Sequence, residues 1–116
     1  VLVDGLVTDG VLEPAPLVAA LADGVRRGRD RAVLARSFHR TLAAGLADLV
    51  EVADPGGRSP VGLTGGVFVN RLLLAATSAR MAEAGRRVLT HRVVPANDGG
   101  LSLGQAAVGL RLAKGS

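Results

Sequence analysis

The sequence predicts an α/β domain in which a short parallel sheet is flanked by helices. Two short apolar runs rich in β-branched residues, 61–64 and 88–94, are each followed by a pair of glycines and then by a helical pattern. Between residues 34 and 49, apolar side chains also recur at every third or fourth position, as on one face of a helix. Strands that alternate with helices are typical of parallel sheets, because parallel neighbours need a long crossover connection.

The composition indicates one small globular domain. The chain has 116 residues, of which 48% are hydrophobic and 21% are charged, a balance that is typical of folded proteins. Because the sequence contains no cysteine, disulfides, thiolate catalysis and cysteine zinc sites are excluded. No apolar run approaches the ~18 residues of a membrane span. We therefore expect a cytoplasmic protein that has no membrane partner.

The formal net charge of +4 raises the question of a nucleic-acid partner. Single-stranded nucleic acids are usually held on aromatic side chains that stack on the bases. This chain has only two aromatic residues, Phe38 and Phe68, and neither lies within a cluster of basic residues that could form such a platform. We therefore expect no nucleic-acid partner.

The first 13 residues contain two Asp-Gly pairs, at positions 4–5 and 9–10, between short apolar runs. Asp-Gly is a strong signal for a β-hairpin turn. Because the flanking runs are only a few residues long, residues 1–13 form either an edge hairpin or an unpaired leader.

Two helices are predicted before the first strand. Pro14 and Pro16 suit the first turn of a helix that ends at Gly28. Asp30 is a suitable N-cap for the second helix, which runs to about residue 53 and stops at an Asp-Pro-Gly-Gly sequence.

Both histidines are interpreted as structural residues. His39 lies on the second helix at the margin of its apolar face, and no second histidine or carboxylate stands three or four positions away as a helical metal site needs. His91 falls in the second strand, where it could lie near the site, but we interpret it as an exposed strand residue.

The second half of the chain repeats the succession of strand, turn and helix. The first turn is Gly65-Gly66, and the helix after it is expected to face the core with Leu72, Leu73 and Ala76. The predicted order is a strand at 61–64, a helix at 67–84, a strand at 88–94, a turn at 97–100 and a helix at 101–113.

The first glycine turn suggests an anion-binding site. Backbone N–H groups at a helix N-terminus attract phosphates, and glycines let a ligand approach the backbone closely. A Cβ at Gly66 is therefore expected to obstruct either a strained backbone or the ligand. The turn is neither a P-loop, because it lacks the lysine, nor a dinucleotide fingerprint, because its glycine spacing differs. Asn70, expected one turn into the helix, either reaches a ligand with its amide or lies on the helix surface.

The second turn supplies a carboxylate, Asp98, at the same edge of the sheet. A carboxylate in this place can ligate a hard cation beside phosphates. The alternative is an Asx turn or a helix cap, which Asp and Asn form routinely.

Three segments resemble one enzyme family. The sequences LTGGVFVNRLLL (63–74) and THRVVPANDGGLSLGQA (90–106) resemble the C-terminal end of the HypF-type hydrogenase maturation carbamoyltransferases, whose pattern is nearly SGGVFQNRLL and then PxNDGGLxLGQA. The earlier SFHRTLA (37–43) is similar to a helix of that family. The resemblance covers residues 11–113, and it departs mildly at Thr64, where serine is usual, and at Val69, where glutamine is usual.

The resemblance implies a fold and a reaction. The fold is part of an actin/sugar-kinase/Hsp70-like (ribonuclease H-like) domain, similar to that of the enzymes that transfer threonylcarbamoyl to tRNA. Such enzymes use carbamoyl phosphate and ATP to make carbamoyl-adenylate. They pass the carbamoyl group to the C-terminal cysteine of a partner, HypE, where it becomes a nitrile destined for the cyanide ligands of [NiFe] hydrogenase.

The resemblance also implies site residues. Asp98 matches a ligand of a divalent metal ion whose identity the sequence does not give. The nucleotide-binding residues predicted from the resemblance and from the glycine turns are Gly65, Gly66, Asn70, Gly99 and Gly100.

We expect residues 1–116 to be the C-terminal part of such a domain and to be inactive alone. The family's paired-histidine metal motif is not in this sequence, and two or three strands rarely make a stable parallel sheet. Two alternatives stay open: the nucleotide-binding end of a sugar-kinase-like enzyme, and an inactive truncated product or assembly module.

Overall fold

The computed structural model describes residues 2–57 and 59–115. Over these residues the observed order of elements matches the predicted one, and the α/β class is confirmed. The strands are β1 (Val7–Thr8), β2 (Val11–Leu12), β3 (Val61–Leu63) and β4 (Val88–Thr90). The helices are α1 (Ala15–Arg26), α2 (Arg31–Ala53), α3 (Arg71–Glu83) and α4 (Leu101–Gly115), with short 3₁₀ turns at Gly66–Val69 and Asp98–Gly100.

The N-terminal segment forms a hairpin, so the unpaired leader is the wrong alternative. β1 and β2 pair antiparallel, with Val7 opposite Leu12. The turn is the second Asp-Gly pair, in which Asp9 has φ 51° and Gly10 has φ 76°. Positive φ at both central residues is what a two-residue type I′ hairpin turn requires.

The hairpin packs on α2 at a glycine. A Cβ added to Gly45 would lie 3.0 Å from the Leu12 Cδ1 atom and 3.3 Å from the Leu6 Cδ1 atom. Both Gly45 and Leu6 are buried. The small residue on α2 therefore lets the hairpin approach the helix closely.

Helices α1 and α2 also meet at a glycine. The prediction of Asp30 as N-cap is confirmed, because its Oδ1 atom accepts a hydrogen bond of 3.0 Å from the Val33 N–H. A Cβ at Gly24 of α1 would lie 2.5 Å from the Leu34 Cδ2 atom of α2. A Cβ at this position would displace the Leu34 side chain, so glycine lets the two helices approach closely.

The core lies mainly between α2 and α3, which form the most extensive contact between elements. On α3 the buried positions are Leu73, Thr77 and Met81, which repeat every four residues. The prediction that Leu72 faces the core is wrong, since Leu72 is 66% exposed. Consecutive residues on a helix point about 100° apart, so adjacent leucines cannot share the narrow buried face. The buried hydrophobic residues are Leu6, Leu17, Leu34, Ala43, Leu63, Leu73 and Met81.

The two central strands are parallel neighbours joined through α3, as predicted. Val61 pairs with Val88 and Leu63 pairs with Thr90. The second strand is shorter than predicted and ends at Thr90. Because β3 ends at Leu63, the residues after Thr90 have no partner strand and run on towards the second turn.

A buried arginine joins the end of α2 to the start of β4. The Arg86 side chain is 4% exposed, and its Nη1 atom lies 2.7 Å from the Asp54 Oδ2 atom. Its Nη2 atom donates to Glu51 Oε2 at 2.9 Å and also to the Asp54 carbonyl oxygen. The pKa of Glu51 is lowered, first by the hydrogen bond from the Gly56 N–H and then by Arg86. The hydrogen bond to Glu51 is likewise the first cause of the raised pKa of Arg86.

Helix α4 extends from the second turn with an exposed apolar surface. All of its residues in the described part of the chain are exposed, including the large side chains Leu101, Leu103, Val108, Leu110 and Leu112. Within the described ranges, none of the helices combines the length and apolarity that crossing a membrane requires.

Candidate functional site

The two predicted turns are joined by a backbone hydrogen bond. The Gly65 N–H donates to the Ala96 carbonyl oxygen at 2.9 Å. Ala96 lies in the segment that leads from β4 into the second turn, so the segments after both parallel strands meet at their carboxyl ends. In open α/β sheets, ligands bind outside this edge.

A cleft of about 790 Å³ lies beside this junction, a size within the usual range of small-molecule sites. Thr64, Gly65 and His91 line one part of it, and α4 lines another. Of the predicted site residues, the cleft brings together Gly65, Asp98 and Gly100. It does not include Gly66, Asn70 or Gly99 among its lining residues.

The backbone constraint in the first turn falls on Gly65. Gly65 has φ 99°, a backbone conformation that residues other than glycine rarely adopt. Gly66 does not have positive φ, and a Cβ added there would meet nothing within 4 Å. The strained-backbone explanation of Gly66 is therefore wrong, and the obstruction of a ligand is the explanation that stays a prediction.

Asn70 is not one turn into the helix but is the N-cap of α3. Its Oδ1 atom accepts from the Leu72 N–H at 2.9 Å and from the Leu73 N–H at 3.2 Å. These N–H groups at the start of α3 are therefore already satisfied by the protein. An anion at the first turn could not use these two N–H groups, nor that of Gly65, which donates to the Ala96 carbonyl oxygen.

His39 contacts the amide of Asn70 across the α2–α3 interface. The His39 Nε2 atom lies 3.1 Å from the Asn70 Nδ2 atom, and the His39 Nδ1 atom lies 2.6 Å from the Ala35 carbonyl oxygen. The position of His39 at the margin of the α2 apolar face is as predicted, since the residue is half-buried. Sequence reasoning missed the contact with Asn70, because the two residues are 31 positions apart.

In the second turn, Asn97 and not Asp98 makes the Asx hydrogen bond. The Asn97 Oδ1 atom accepts from the Gly99 N–H at 3.0 Å. Packing also favours glycine at both positions of this turn. A Cβ at Gly99 would lie 2.9 Å from Asn97 Oδ1, and one at Gly100 would lie 2.8 Å from Val94 Cγ1. The role of Gly99 and Gly100 in nucleotide binding stays a prediction.

Asp98 is exposed at the cleft. Across residues 2–57 and 59–115, the structure forms no group of three or more histidine, cysteine, aspartate or glutamate side chains that could hold a metal ion. The described residues therefore do not form a complete metal site by themselves, and the metal role of Asp98 stays a prediction.

His91 joins the ends of the two parallel strands. It lies one residue beyond β4, and its Nε2 atom is 2.8 Å from the Thr64 Oγ1 atom, which follows β3. The prediction that His91 is exposed is confirmed, whereas its placement within the strand is wrong. His91 lines the cleft together with Thr64.

A family model described as "Carbamoyltransferase, Kae1-like Domain, second subdomain" matches residues 3–105. The carbamoyltransferase HypF of Rhodobacter capsulatus is 42% identical over 100 residues, which cover 85% of this chain and 13% of the relative. HypF of Rhizobium leguminosarum is 43% identical over 101 residues, with the same two coverages, 85% and 13%. A HypF homolog of Cupriavidus necator is 40% identical over 107 residues, which cover 89% of this chain and 27% of that protein. No solved structure matches the chain significantly.

Proposed function

Because the chain belongs to the family of HypF carbamoyltransferases and matches the second subdomain of their Kae1-like domain, we propose that it supplies part of a nucleotide and metal site for carbamoyl transfer. In this proposal, carbamoyl phosphate and ATP give a carbamoyl-adenylate. Its carbamoyl group passes to the C-terminal cysteine of a HypE-like acceptor during hydrogenase maturation in the cytoplasm. The chain spans 13% of the length of its HypF relatives, so this activity is proposed for the native-length protein.

The observation that carries the proposal is the junction of the two turns. The hydrogen bond from Gly65 to Ala96 holds the segments after β3 and β4 together. Gly65 and Asp98 line one cleft beside that bond. The first glycine turn and a carboxylate that can ligate a cation thus lie at one edge of the sheet, an arrangement that suits binding of a metal–nucleotide complex.

The proposed binding residues have different roles. The open space beside Gly66 leaves room for a ligand to approach its backbone. The Asn70 amide keeps one N–H for a ligand, since its oxygen accepts two bonds from α3 and its other N–H faces His39. Asp98 contributes a carboxylate oxygen towards a divalent cation, which in this family's chemistry neutralises phosphate charge. Because the described residues form no group of three or more metal-ligating side chains, further ligands are expected from the rest of the native-length protein or from water.

Family membership removes the sugar-kinase-like alternative. The assembly module without a ligand remains as an outcome of the experiments. The absence of nucleic-acid and membrane partners is also part of the proposal.

Asp98→Ala in the native-length protein is expected to lower bound metal and to slow carbamoyl transfer at least about tenfold, because one ligand of the cation is lost. The unfolding transition should stay unchanged, since the side chain is exposed. Metal content, melting temperature and carbamoylation of the acceptor are measured on this variant. Asp48→Ala, which removes an exposed carboxylate of α2 outside the cleft, is the matched control.

The opposite pattern would withdraw the metal assignment. If Asp98 only stabilises its turn, the substitution lowers stability by about 1 kcal/mol, as the loss of a cap does. Metal content and transfer would then equal those of the Asp48→Ala control.

A further inference from the structure

We infer that His39 is a positioning residue that holds the side-chain amide of Asn70 for the nucleotide. The contact between the two side chains is observed in the structure, whereas its consequence for the nucleotide rests on the proposed function. His39 lies on α2, whereas Asn70 lies at the start of α3, directly after the first turn. The inference therefore assigns α2 a part in the site.

The hydrogen bond to Ala35 fixes the tautomer of the imidazole. A carbonyl oxygen can only accept, so the Nδ1 atom at 2.6 Å from it must carry the proton. In a neutral ring the Nε2 atom then has a free lone pair. The Asn70 Nδ2 atom, at 3.1 Å, donates an N–H to that lone pair. His39 is thus an acceptor towards Asn70 and a donor towards its own helix.

The amide of Asn70 has four hydrogen-bonding positions, two on oxygen and two on nitrogen. The N–H groups of Leu72 and Leu73 use both positions on oxygen, and His39 uses one on nitrogen. The amide is therefore restrained from both ends. One N–H remains, and its direction is set by the other three bonds.

The imidazole is itself restrained. The Phe38 ring meets it edge to face, with centroids 5.6 Å apart and an interplanar angle of 89°. A ring that only fills space at this position could be replaced by phenylalanine without loss. A ring that positions Asn70 needs its acceptor nitrogen. The two roles therefore predict different results for substitutions that keep or remove that acceptor.

The first experiment measures ATP affinity in the native-length protein by titration calorimetry. His39→Phe is expected to weaken binding about three- to tenfold, the value of one neutral hydrogen bond. His39→Gln, which keeps an acceptor, should recover most of this loss. Asn70→Ala should weaken binding about tenfold or more, and adding His39→Phe to it should cause no further loss. Arg36→Ala, at an exposed residue of α2, is the control and should bind like the unmodified protein.

The results separate the two proposals. If Asn70→Ala weakens binding but His39→Phe binds ATP normally, the positioning role is overturned. If Asn70→Ala binds ATP normally, the nucleotide role proposed for Asn70 fails, and with it the functional part of this inference. If His39→Phe does not fold, the single variant His39→Gln and the double variant that combines it with Asn70→Ala are measured instead. ATP binding that is weaker in this double variant than in Asn70→Ala alone contradicts the inference.

A second measurement tests the contact without any nucleotide. Nitrogen-15 NMR of the imidazole should show Nδ1 protonated and Nε2 unprotonated. Asn70→Ala should shift the Nε2 resonance because its donor is removed. A ring with protonated Nε2, or one that does not respond to Asn70→Ala, would overturn the inference.

Discussion

Leu73→Ala is expected to lower the free energy of unfolding by about 2–5 kcal/mol, whereas Leu72→Ala should change it by less than about 0.5 kcal/mol. Leu73 is 2% exposed and Leu72 is 66% exposed. Truncation of the buried leucine removes apolar contacts in the α2–α3 core and leaves a cavity. Truncation of its neighbour removes a side chain that is mostly in water.

The pair is a matched control, because both changes are Leu→Ala in the first turn of α3 and alter helix propensity equally. Urea denaturation of the 116-residue chain, followed by circular dichroism, gives both values. Equal losses for the two variants would contradict the orientation of α3. A larger loss for Leu72→Ala would mean that the other face of the helix is the buried one.

Arg86→Met is expected to lower the melting temperature far more than Arg80→Met. The Arg86 side chain is 4% exposed and joins Glu51 and Asp54, whereas the Arg80 side chain is 43% exposed and lies 4.0 Å from Glu83. Removal of the buried guanidinium loses its hydrogen bonds to Glu51, to the Asp54 carboxylate and to the Asp54 carbonyl oxygen, whereas removal of Arg80 loses one surface ion pair. Thermal melts at neutral pH compare the two variants.

The pH dependence gives the same network a second test. The pKa of Glu51 is lowered in the folded state, so its contribution to stability is present above the ordinary pKa of glutamate, ~4.3. The contribution is lost as the pH falls from there through the lowered folded value. In the Glu51→Gln variant, the free energy of unfolding should therefore fall less on acidification than in the unmodified protein. The Glu83→Gln variant should lose stability in acid as the unmodified protein does. An equal dependence of stability on pH in the two variants would contradict the account.

Much of the fold follows from local signals in the sequence. The turn at Asp9-Gly10 and the cap at Asp30 each depend on chemistry within a few residues. The parallel pairing of residues near 61 and 88 follows from the order strand, helix, strand, because parallel neighbours need a crossover connection. Structure in such places is predictable because the competing conformations are few. The same reasoning placed α2 correctly to residue 53.

The errors have a different origin. Three consecutive leucines, 72–74, give no local sign of which one faces α2, and only packing against that helix decides it. The early end of β4 at Thr90 depends on the length of its partner strand. The start of α3 at Arg71 depends on the cap that Asn70 forms. Each error therefore lies where a distant segment or a side-chain bond sets the boundary.

The candidate site was predictable in part for the same reason. Two glycine turns after parallel strands had to emerge on one edge of the sheet, and the bond from Gly65 to Ala96 agrees with this. Which side chains then meet was not predictable. The contacts of His39 with Asn70 and of His91 with Thr64 join residues 31 and 27 positions apart, and no periodicity or motif in a single sequence encodes such pairs.

The central claim, that a nucleotide binds against the first glycine turn, is tested most directly by comparing the ATP affinities of Gly66→Val and Gly62→Val in the native-length protein. A Cβ at either glycine meets nothing within 4 Å, and neither has positive φ, so both variants should fold. Gly62 lies within β3, whereas Gly66 lies at the turn. We predict that Gly66→Val weakens ATP binding at least about tenfold, about 1.4 kcal/mol, while Gly62→Val binds normally. Unchanged affinity in a folded Gly66→Val protein would contradict the account.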